Sequence, residues 1–376
     1  MKRILVLNYE FPPIGGGGGV ASFYLAKGFV KNGYTVDFIT TGFKDLKKFE
    51  VIEGVNVHRV PVIGRKSLAT ATLISMLSYL VTGLWQGIRL CRKNQYEFMN
   101  THFVIPTGPL GYALSKIFGM PNILSLHGGD IYDPTKKLSP HNKWYLRAAV
   151  RFLLNHAAVL IAQSRNTKEN TIKYYAPKKE VQIIPLPYEP IPFVAASKRE
   201  LGLKEDKKYV IGVGRLIKRK GFDLFIRTLA LLDSSVEGII VGDGPEREYL
   251  LATAREAGVS GRLHMAGYVS QEKKFQYLSN ADAFMLTSVH EGFGVVLQEA
   301  MQAGLPIVAT NTGGQVELVE EGKNGFLIGD RSPESFAEKI TALLSDGDAG
   351  RKRGAIAAKL GEFDLKAVAG RYIQSI

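Results

Sequence analysis

The sequence predicts an α/β protein with two doubly wound domains, each built on a parallel sheet. Short apolar segments of strand length alternate with segments of helix length through both halves of the chain. Between the halves, prolines crowd a segment that can continue neither a helix nor a strand: Pro185, Pro187, Pro190 and Pro192. The chain of 376 residues is long enough for two domains of ordinary size.

The first half opens with an apolar strand and a run of glycines. We predict a strand at residues 4–7, a five-glycine loop at 15–19 and a helix at 21–31. Further strands are expected at 36–40, 55–62, 97–103, 122–126, 159–162 and 181–184.

A long uncharged segment, residues 67–88, lies between basic residues. Its length would satisfy a transmembrane helix. However, one stripe of the helix is apolar and another face carries serine, threonine and glutamine, which predicts an amphipathic helix; the stripe consists of Leu73, Leu77, Leu80, Leu84 and Ile88. Packing against the sheet and an interfacial position on a membrane both remain open.

The second half repeats the alternation. Strands are expected at residues 209–213, 238–241, 263–265, 283–286 and 306–309, and helices at 222–232 and 295–303. Gly304 and Pro306 end the last of these helices. A ligand is expected in the cleft between the carboxyl edges of the two sheets, because doubly wound proteins bind ligands at such edges.

The composition is typical of a soluble globular protein, with 45% hydrophobic and 22% charged residues. The single cysteine, Cys91, excludes an intramolecular disulfide and suits a reducing compartment. The apolar run at residues 1–7 is too short for the core of a signal peptide and fits a first strand.

The net charge of +13 lies entirely in the first half. Residues 1–190 contain 24 Lys and Arg against 11 Asp and Glu, whereas residues 191–376 contain 24 of each kind. This asymmetry indicates an anionic partner, such as a membrane surface, a phosphorylated acceptor or nucleic acid. A surface that serves only solubility is an equal alternative, because the basic residues are scattered.

Two glutamates mark a strand-to-helix junction in the second half. Glu291 precedes Gly292 and Gly294, which permit a tight turn, and Glu299 lies on the following helix. A retaining glycosidase needs its carboxyl groups roughly 5 Å apart, but eight residues of helix rise about 12 Å. The spacing favours two carboxylates that each hold a different hydroxyl of one elongated ligand. A capping glutamate and a solvated one are the alternative.

Two loops have the composition of anion-binding sites. The glycines at 15–19 open the first helix, where backbone N–H groups can approach an anion. In the second half, four cations follow Gly214; Arg215 offers a fork to phosphate oxygens and Lys220 a point charge. A flexible connector and a solvated basic loop are the respective alternatives.

Two further strand ends carry polar residues. Asp243, in the turn at 242–245, either caps the next helix or contacts a ligand. His127 closes the strand at 122–126 and could exchange a proton near neutral pH. His102 on a neighbouring strand end is a rival, and either histidine could be structural.

No metal site is indicated. The sequence has no Cys/His cluster and no Asp-x-Asp after an apolar strand, and the Asp-Gly-Asp at residues 346–348 predicts a turn. We therefore expect no metal and no other cofactor. Cations and backbone N–H groups would then stabilise a diphosphate leaving group.

Four motifs together resemble those of the retaining GT-B glycosyltransferases. They are the Glu291…Glu299 element, the loop at 214–221, the turn at 242–245 and the glycines at 15–19. The match is to the glycosyltransferase group 1 family, which includes relatives of glycogen synthase and mannosyl- and glucosyltransferases. The resemblance covers nearly the whole chain. It implies two Rossmann-like domains facing across a cleft: an acceptor domain of residues 1–188 with a return helix at 363–376, and a nucleotide-sugar domain of residues 189–362.

The resemblance also assigns roles to residues. Arg215 and Lys220 would bind the diphosphate, Glu291 the hydroxyls of the transferred sugar, and Glu299 the ribose. Backbone amides would lie near the sugar and phosphate at Gly292, Phe293, Gly294, Val295 and Val296.

In the first domain, Gly16 and Gly17 would close over the diphosphate, and His127 would lie near the reacting sugar. One segment departs from the family. Members usually carry Pro-Asn-Gly-Val-Asp after the strand at 181–184, where this chain has Pro185-Leu186-Pro187-Tyr188-Glu189. This departure puts any ligand contact at that segment in doubt.

The resemblance implies a cytoplasmic, metal-independent, retaining hexosyltransferase of glycan biosynthesis. It would use a UDP- or GDP-sugar and a sugar, sugar-phosphate or lipid-linked acceptor, with His127, Arg215, Lys220 and Glu291 as catalytic residues. A sugar-nucleotide epimerase and a sugar-nucleotide-binding protein without turnover are the alternatives. No nucleic-acid partner is expected.

The basic first half adds a second expectation, which is peripheral contact with an anionic membrane at its inner face. The uncharged helix at 67–88 would lie at this contact, together with basic residues near it: Lys44, Lys47, Lys48, Arg65 and Lys66.

Overall fold

The computed structural model describes residues 2–68, 71–136, 138–345 and 349–376, with the side chains of residues 349–352 left aside. The turn expected at 346–348 lies outside the described residues. The chain divides into two compact units, Met1–Glu189 with Phe363–Ile376, and Pro190–Glu362. The division falls inside the proline-rich segment.

The first unit contains an eight-stranded sheet. Its strands are β1 Arg3–Leu7, β2 Thr35–Thr41, β3 Phe49–Ile52, β4 Val55–Val60, β5 Phe98–His102, β6 Asn122–Leu126, β7 Val159–Ala162 and β8 Val181–Ile183. They follow the order β3-β4-β2-β1-β5-β6-β7-β8, and all pairs are parallel except β3 with β4. Each strand predicted for this half is present. The prediction missed β3, a four-residue edge strand whose residues alternate between exposed and half-buried.

The first helix, α1 Gly17–Lys31, begins at Gly17 rather than at residue 21, so the expected five-glycine loop is wrong in extent. A Cβ atom on Gly18 would lie 2.4 Å from the Phe103 ring. The first turn of α1 therefore packs on that ring at a distance that only glycine permits. The sequence predicts a loop for these glycines, whereas residues 17–19 form the first turn of α1.

The predicted long helix is present as α2 Leu73–Lys93, but its inward face differs from the predicted apolar stripe. Its fully buried residues are Ser75, Tyr79, Gly83, Gly87 and Leu90, with Leu80, Leu84 and Ile88 partly buried. Leu73 and Leu77 are exposed. A Cβ atom at Gly83 or Gly87 would lie 2.8 or 2.5 Å from a leucine of the next helix, so small residues set the contact.

Three more helices follow in this unit: α3 Gly108–Phe118, α4 Trp144–His156 and α5 Arg165–Tyr175. Helix α2 crosses from β4 over β2 and β1 to β5, helices α3 to α5 connect successive neighbours from β5 to β8, and each helix contacts the next. Right-handed crossovers place these four helices on one side of the sheet and α1 on the other. Covered on both faces, β5 and β6 are buried at every position.

The second unit is a six-stranded parallel sheet flanked by helices, which confirms the prediction of two doubly wound α/β units. Its strands are β9 Lys208–Val213, β10 Val236–Val241, β11 Leu263–Gly267, β12 Ala283–Leu286, β13 Ile307–Thr310 and β14 Gly325–Ile328. They follow the order β11-β10-β9-β12-β13-β14. The helices are α6 Phe222–Leu231, α7 Arg247–Glu256, α8 Gln271–Ser279, α9 Val295–Gln302, α10 Pro333–Ser345 and α11 Ala349–Gly361. The prediction missed β14.

The last helix, α12 Leu365–Gln374, belongs to the first unit and packs on α1. A Cβ atom on Gly28 of α1 would lie 2.4 Å from the carbonyl oxygen of Leu365. Val368, Ala369 and Tyr372 join the core beneath α1. Glycine at position 28 thus allows the backbone of α12 to pack closely against α1.

The segment that departs from the family pattern is fixed on α1. The carboxylate of Glu189 accepts hydrogen bonds from Lys27 and, at 3.0 Å, from Lys31. Tyr188 is buried with its ring edge-on to Tyr24 at 6.0 Å. Here the segment serves as an anchor within the first unit.

Candidate active site

The candidate site of the second unit lies along the carboxyl edge of its sheet. The loops that leave β9, β10, β12 and β13 are neighbours there because those strands are adjacent and parallel. The loops are packed backbone to backbone. A Cβ atom on Gly242 would lie 1.9 Å from the carbonyl oxygen of Gly214. The Gly242–Pro245 turn therefore supports the basic loop after β9.

The basic loop after β9 presents Arg215 and Lys218 to solvent and turns two cations inward. Arg215 is exposed, and no ion pair or side-chain hydrogen bond joins it to another described residue. A short 3-10 helix, Lys218–Lys220, then leads through Gly221 into α6. Arg219 and Lys220 of this 3-10 helix both point towards the loop after β12. The loop thus separates a free guanidinium from two paired cations.

Glu291 is the centre of the inward-facing network. Its Oε1 accepts hydrogen bonds from Lys220 Nζ at 2.6 Å and from Ser288 Oγ at 2.6 Å. Its Oε2 lies 3.2 Å from Nη1 of Arg219. Arg219 also donates to the carbonyl oxygen of His290 at 2.6 Å. The sequence placed Lys220 and Glu291 on different parts of a ligand, and the structure joins them directly.

The ionisation state of Glu291 follows from this network. Burial by itself would raise the pKa of Glu291. The charges of Lys220 and Arg219, with hydrogen bonds from Lys220 and Ser288, outweigh burial and lower the pKa to about 2. Glu291 is therefore a carboxylate at any physiological pH. It can accept hydrogen bonds from hydroxyl groups and cannot serve as a general acid.

The Glu291 loop is held rigidly by the loop that follows β13. Gly314 donates its N–H to the carbonyl oxygen of Glu291 at 2.7 Å. A Cβ atom on Gly314 would lie 2.1 Å from the carbonyl oxygen of Gly292. Thr310 Oγ1 donates to the carbonyl oxygen of Ser288 at 2.7 Å. The loop geometry is thus fixed before any ligand binds.

Helix α9 starts directly after the Glu291 loop. Gly294 precedes it with a φ of 106°, which a residue with a side chain rarely adopts. The N–H groups of the first helical turn, including those of Val295 and Val296, have no partners within the helix. With Gly292 and Phe293 in the turn before it, this helix end provides N–H groups suited to an anion.

Glu299 lies on α9 with a cation partner of its own. Its Oε1 accepts a hydrogen bond from Lys274 of α8 at 2.6 Å. Its Oε2 is buried and has no hydrogen-bond partner among the described residues. The two glutamates therefore bind different lysines and form no shared acid/base pair. The unpartnered oxygen of Glu299 can accept a hydrogen bond from a ligand hydroxyl.

Sequence reasoning missed several residues of this site. Arg219 was counted only as one of four cations, and Ser288, Lys274, Gly313 and Gly314 were not identified. The pair of glycines after β13 could have indicated this site from the sequence. Two glycines at the carboxyl end of a strand permit the close approach of another backbone. Ser288 and Lys274 carried no distinguishing pattern.

In the first unit, Gly16 and Gly17 lie at the start of α1. The N–H of Gly16 lies 3.2 Å from Oε2 of Glu10, so a carboxylate already meets this helix end. Gly17 is the first residue of the helix. The predicted contact of Gly16 and Gly17 with a diphosphate stays a prediction.

His127 lies in a buried chain of polar side chains at the carboxyl edge of the first sheet. Its Nδ1 lies 2.8 Å from the amide nitrogen of Gln163, and its Nε2 lies 2.9 Å from Nδ1 of His102. Its ring stacks on Phe103 at 4.1 Å. The amide nitrogen only donates, so the ring proton of His127 lies on Nε2 and is donated to His102.

Both histidines are neutral. Burial lowers the pKa of His102 to about 3, and burial together with the neighbouring His102 lowers the pKa of His127 well below its ordinary value. The two ring nitrogens of His127 are both engaged within the protein. The Nε2 atom of His102 has no partner among the described residues. The rival histidine is thus part of the same constellation as His127.

Asp130 closes this constellation. It accepts the N–H of Val104 at 2.7 Å and the N–H of His127 at 3.0 Å. Burial raises the pKa of Asp130 to about 6, although these backbone hydrogen bonds act in the opposite direction. Asp130 therefore connects the loops that follow β5 and β6.

The described part of the chain contains neither a cluster of metal-ligating side chains nor a membrane-spanning helix. In that part of the chain, no group of three or more His, Cys, Asp or Glu could hold a metal ion. Over the same ranges, no helix has the length and hydrophobicity needed to cross a bilayer.

Comparison with protein families decides the class. Residues 193–360 match the model described as glycosyl transferases group 1, and residues 15–190 match the model described as glycosyltransferase family 4. The chain belongs to the group 1 glycosyltransferases. The predicted resemblance to the group 1 family and the GT-B fold are therefore confirmed.

Relatives of this group 1 glycosyltransferase cover nearly its whole length. An uncharacterized glycosyltransferase from Methanocaldococcus jannaschii is 29% identical, over 92% of this chain and 89% of the relative. The N-acetyl-alpha-D-glucosaminyl L-malate synthase of Bacillus anthracis is 26% identical, over 91% and 88%. HepE from Anabaena, solved in complex with UDP-glucose, superimposes with a TM-score of 0.77 over 100% of both chains at 22% identity. This last likeness concerns the fold.

Proposed function

We propose that this glycosyltransferase moves a hexosyl group from a UDP- or GDP-sugar to a hydroxyl acceptor with retention of anomeric configuration and without a metal. The observation that carries the proposal is the carboxyl edge of the second sheet. A free guanidinium, two paired cations, a carboxylate and a helix N-terminus lie on adjacent loops there. A nucleoside-diphosphate sugar offers the matching groups, namely two phosphates and several hydroxyls.

The diphosphate would bind Arg215, Lys220 and the N–H groups that open α9. Arg215 is exposed and unpaired among the described residues, so its fork is available for phosphate oxygens. Lys220 is held in place by Glu291 and needs little reorientation. Cations placed before the reaction stabilise the charge that grows on the leaving diphosphate.

The transferred sugar would be oriented by Glu291. Its loop is fixed by Gly314 and Thr310, and its carboxylate stays ionised. Hydroxyl groups of the sugar would donate to this carboxylate. Glu299, with its unpartnered Oε2, would accept a hydrogen bond from the ribose. The two glutamates would then hold opposite ends of the donor.

The transfer itself needs no protein nucleophile. The bond between the anomeric carbon and the diphosphate oxygen breaks, and the acceptor oxygen bonds to that carbon on the same face. The acceptor proton passes to the departing phosphate oxygen. Glu291 does not act as a nucleophile in this proposal, because two cations and Ser288 already occupy its oxygens.

The acceptor is assigned to the first unit, where His127 would lie near the reacting sugar. The His127 side chain would act through packing and through its fixed hydrogen bond with His102. It would not exchange a proton near neutral pH, because burial lowers the pKa of both rings. A sugar, a sugar phosphate and a lipid-linked sugar all remain acceptor candidates. The single cysteine and the nucleotide-linked donor suit a cytoplasmic location.

A donor panel tests this function. The protein is incubated with UDP-glucose, UDP-N-acetylglucosamine and GDP-mannose, each with metabolite or lipid extracts and a chelator, and products are identified by mass spectrometry. Transfer that survives chelation, with the donor's anomeric configuration in the NMR spectrum of the product, supports the proposal. Epimerised donor without transfer indicates an epimerase, and binding without product indicates a binding protein. An inverted product or a metal requirement contradicts the corresponding part.

A further inference from the structure

The outer surface of helices α2, α3 and α4 is the most unusual surface of the first unit. α3 packs against both α2 and α4, and the three helices lie on one side of the sheet. We call the solvent-facing side of these helices, with the residues that immediately precede α4, the outer helix surface. It lies outside the donor-binding edge described above, which belongs to the second unit.

Large apolar side chains are exposed on this surface. On α2 they recur at turn spacing: Leu73, Leu77, Val81 and Trp85, which are 72%, 55%, 70% and 65% exposed. Ile74 of α2 and Ile117 of α3 are also exposed. On α4, Trp144 is 76% exposed, and Tyr145 and Phe152 are exposed as well. An apolar surface of this extent usually marks an interaction site.

The packing of α2 explains why these residues face outward. A soluble surface helix normally buries its large apolar residues and exposes small or polar ones. In α2 the buried face carries Tyr79 and Leu90 together with Ser75, Gly83 and Gly87, and leucine, valine and tryptophan also face solvent. Leaving these large apolar side chains exposed costs stability in water unless a second apolar phase covers them.

The charge of the surface is entirely positive. Helices α2, α3 and α4 contain no Asp or Glu. The cations on them or next to them are Arg89, Arg92, Lys93, Lys116, Lys143, Arg147 and Arg151. None of these cations forms an ion pair with another described residue. The guanidinium of Arg89 lies 5.8 Å from the centre of the Trp85 ring, so charge and aromatic surface are adjacent.

We propose that the outer helix surface docks on an anionic lipid bilayer. Tryptophan and tyrosine favour the boundary between headgroups and acyl chains, and leucine and valine enter the acyl region. Lysine and arginine at the rim attract anionic headgroups. A second copy of the chain fits less well, because two surfaces with these cations and no acidic residues would repel each other.

The surface differs in part from the one predicted from the sequence. Arg65 does not face outward: its guanidinium lies 4.8 Å from the centre of the Tyr9 ring and donates to backbone oxygens of Ser67 and Leu68. Helix α4 was not part of the prediction. The proposal does not depend on the donor or the acceptor, so its test needs neither.

The sequence provides a direct probe of docking. It contains two tryptophans, Trp85 and Trp144, and both lie on the outer helix surface. Vesicles of phosphatidylglycerol with phosphatidylcholine are added to the full chain, and vesicles of phosphatidylcholine alone serve as control. We expect the tryptophan emission to shift to shorter wavelength with the anionic vesicles. We also expect quenching by brominated acyl chains and co-sedimentation that weakens at high salt.

Single variants locate the contact. In Trp85→Phe and Trp144→Phe, the remaining tryptophan should still shift, which shows that both α2 and α4 touch the bilayer. The pair Arg147→Gln/Arg151→Gln should weaken binding by roughly fivefold for each cation removed. Leu77→Ser/Val81→Ser should abolish the emission shift. Tyr268→Ser, in the second unit and 86% exposed, is the matched control and should bind normally.

Two results would overturn the proposal. One is binding to anionic vesicles without any change in tryptophan emission, since the contact would then lie elsewhere. The other is a lipid-independent dimer that Leu77→Ser/Val81→Ser dissociates, because a second copy would then cover the surface. Circular dichroism of each variant establishes that it is folded. A failed donor assay leaves this test unaffected.

Discussion

The ammonium group of Lys220 lies 2.6 Å from Oε1 of Glu291, and the two side chains are only 11% and 9% exposed. A residue assigned to the diphosphate and one assigned to the sugar are therefore one ion pair. In the proposed function, binding of the donor and stability of the second unit would depend on the same contact. Variants of either residue should be judged by both measurements.

The pair should contribute strongly to stability. We expect Lys220→Met to lower the free energy of unfolding by about 3 kcal/mol, because Glu291 remains buried with only Arg219 as a cation partner. Urea denaturation followed by circular dichroism measures the change. Lys323→Met breaks the exposed pair with Glu320 and should cost under about 1 kcal/mol. Equal costs for the two variants would show that burial of the Lys220–Glu291 pair has no energetic effect.

Glu291 should also make the free energy of unfolding depend on pH. Its pKa is lowered to about 2 in the folded protein, below the unfolded value of about 4.3. Its stabilising contribution is therefore complete above about pH 4.3 and is lost as the pH falls towards 2. The difference in unfolding free energy between wild type and Glu291→Gln should shrink across that interval, by about 3 kcal/mol in total. A constant difference would contradict the ion-pair assignment.

Arg215 should affect catalysis without affecting stability. It is exposed and forms no ion pair or side-chain hydrogen bond among the described residues, so Arg215→Ala should leave the unfolding free energy nearly unchanged. This variant loses a phosphate contact that strengthens as the bond breaks. We therefore expect kcat/KM to fall by an amount that corresponds to about 2–4 kcal/mol of transition-state stabilisation. Arg227→Ala, an exposed arginine on α6, is the control. Equal kinetics in the two variants would remove Arg215 from the site.

The roles of Glu291 and Glu299 should be distinguishable by how each variant binds the free nucleoside diphosphate. Glu299→Ala should weaken binding of the free nucleoside diphosphate about tenfold, since the hydrogen bond is to a charged group. Glu291→Ala should lower turnover more than it weakens that binding, because it removes the sugar contact and leaves Lys220 without its partner. Calorimetric titration with UDP and GDP makes the comparison, with Glu272→Ala on the exposed face of α8 as control. The opposite pattern would mean that the two roles are exchanged.

The His127–His102 pair should not titrate near neutral pH. Burial keeps both rings neutral, so their imidazole nitrogen NMR signals should be constant from pH 5 to 8. Gln163→Leu removes the donor to Nδ1 of His127 and should produce a mixture of tautomers in place of one. A pH-rate profile that reports a group near pH 6.5 and disappears in His127→Asn would contradict a neutral, non-titrating role.

Local pattern predicted much of this fold. Strands such as β6, β7 and β12 were found at their observed bounds because continuous apolar runs identify buried parallel strands. The start of α1 was wrong because the glycines were assigned to a loop, whereas Gly18 packs in the first helical turn against Phe103, a residue distant in sequence. The inward face of α2 was also partly wrong, because close packing on α3 through Gly83 and Gly87 outweighs the count of apolar residues.

The candidate site shows the same limit. Its residue types were recognisable, since glycines, cations and glutamates at strand ends indicate ligand binding. The pairing of Lys220 with Glu291, and of Lys274 with Glu299, depends on which loops the sheet order makes neighbours. The order β9-β12 brings together residues about seventy positions apart. Sequence spacing carries no information on such neighbours.

The position of α12 has a consequence for how the chain is made. The core beneath α1 lacks Val368, Ala369 and Tyr372 until residues 365–374 have left the ribosome, long after Phe29 and Leu25 have been synthesised. Meanwhile a groove beside Gly28 stays open, although the entire second unit can already fold. The nascent first unit would therefore present apolar surface for most of translation. A chaperone that binds such surfaces should be released only when α12 fills the groove.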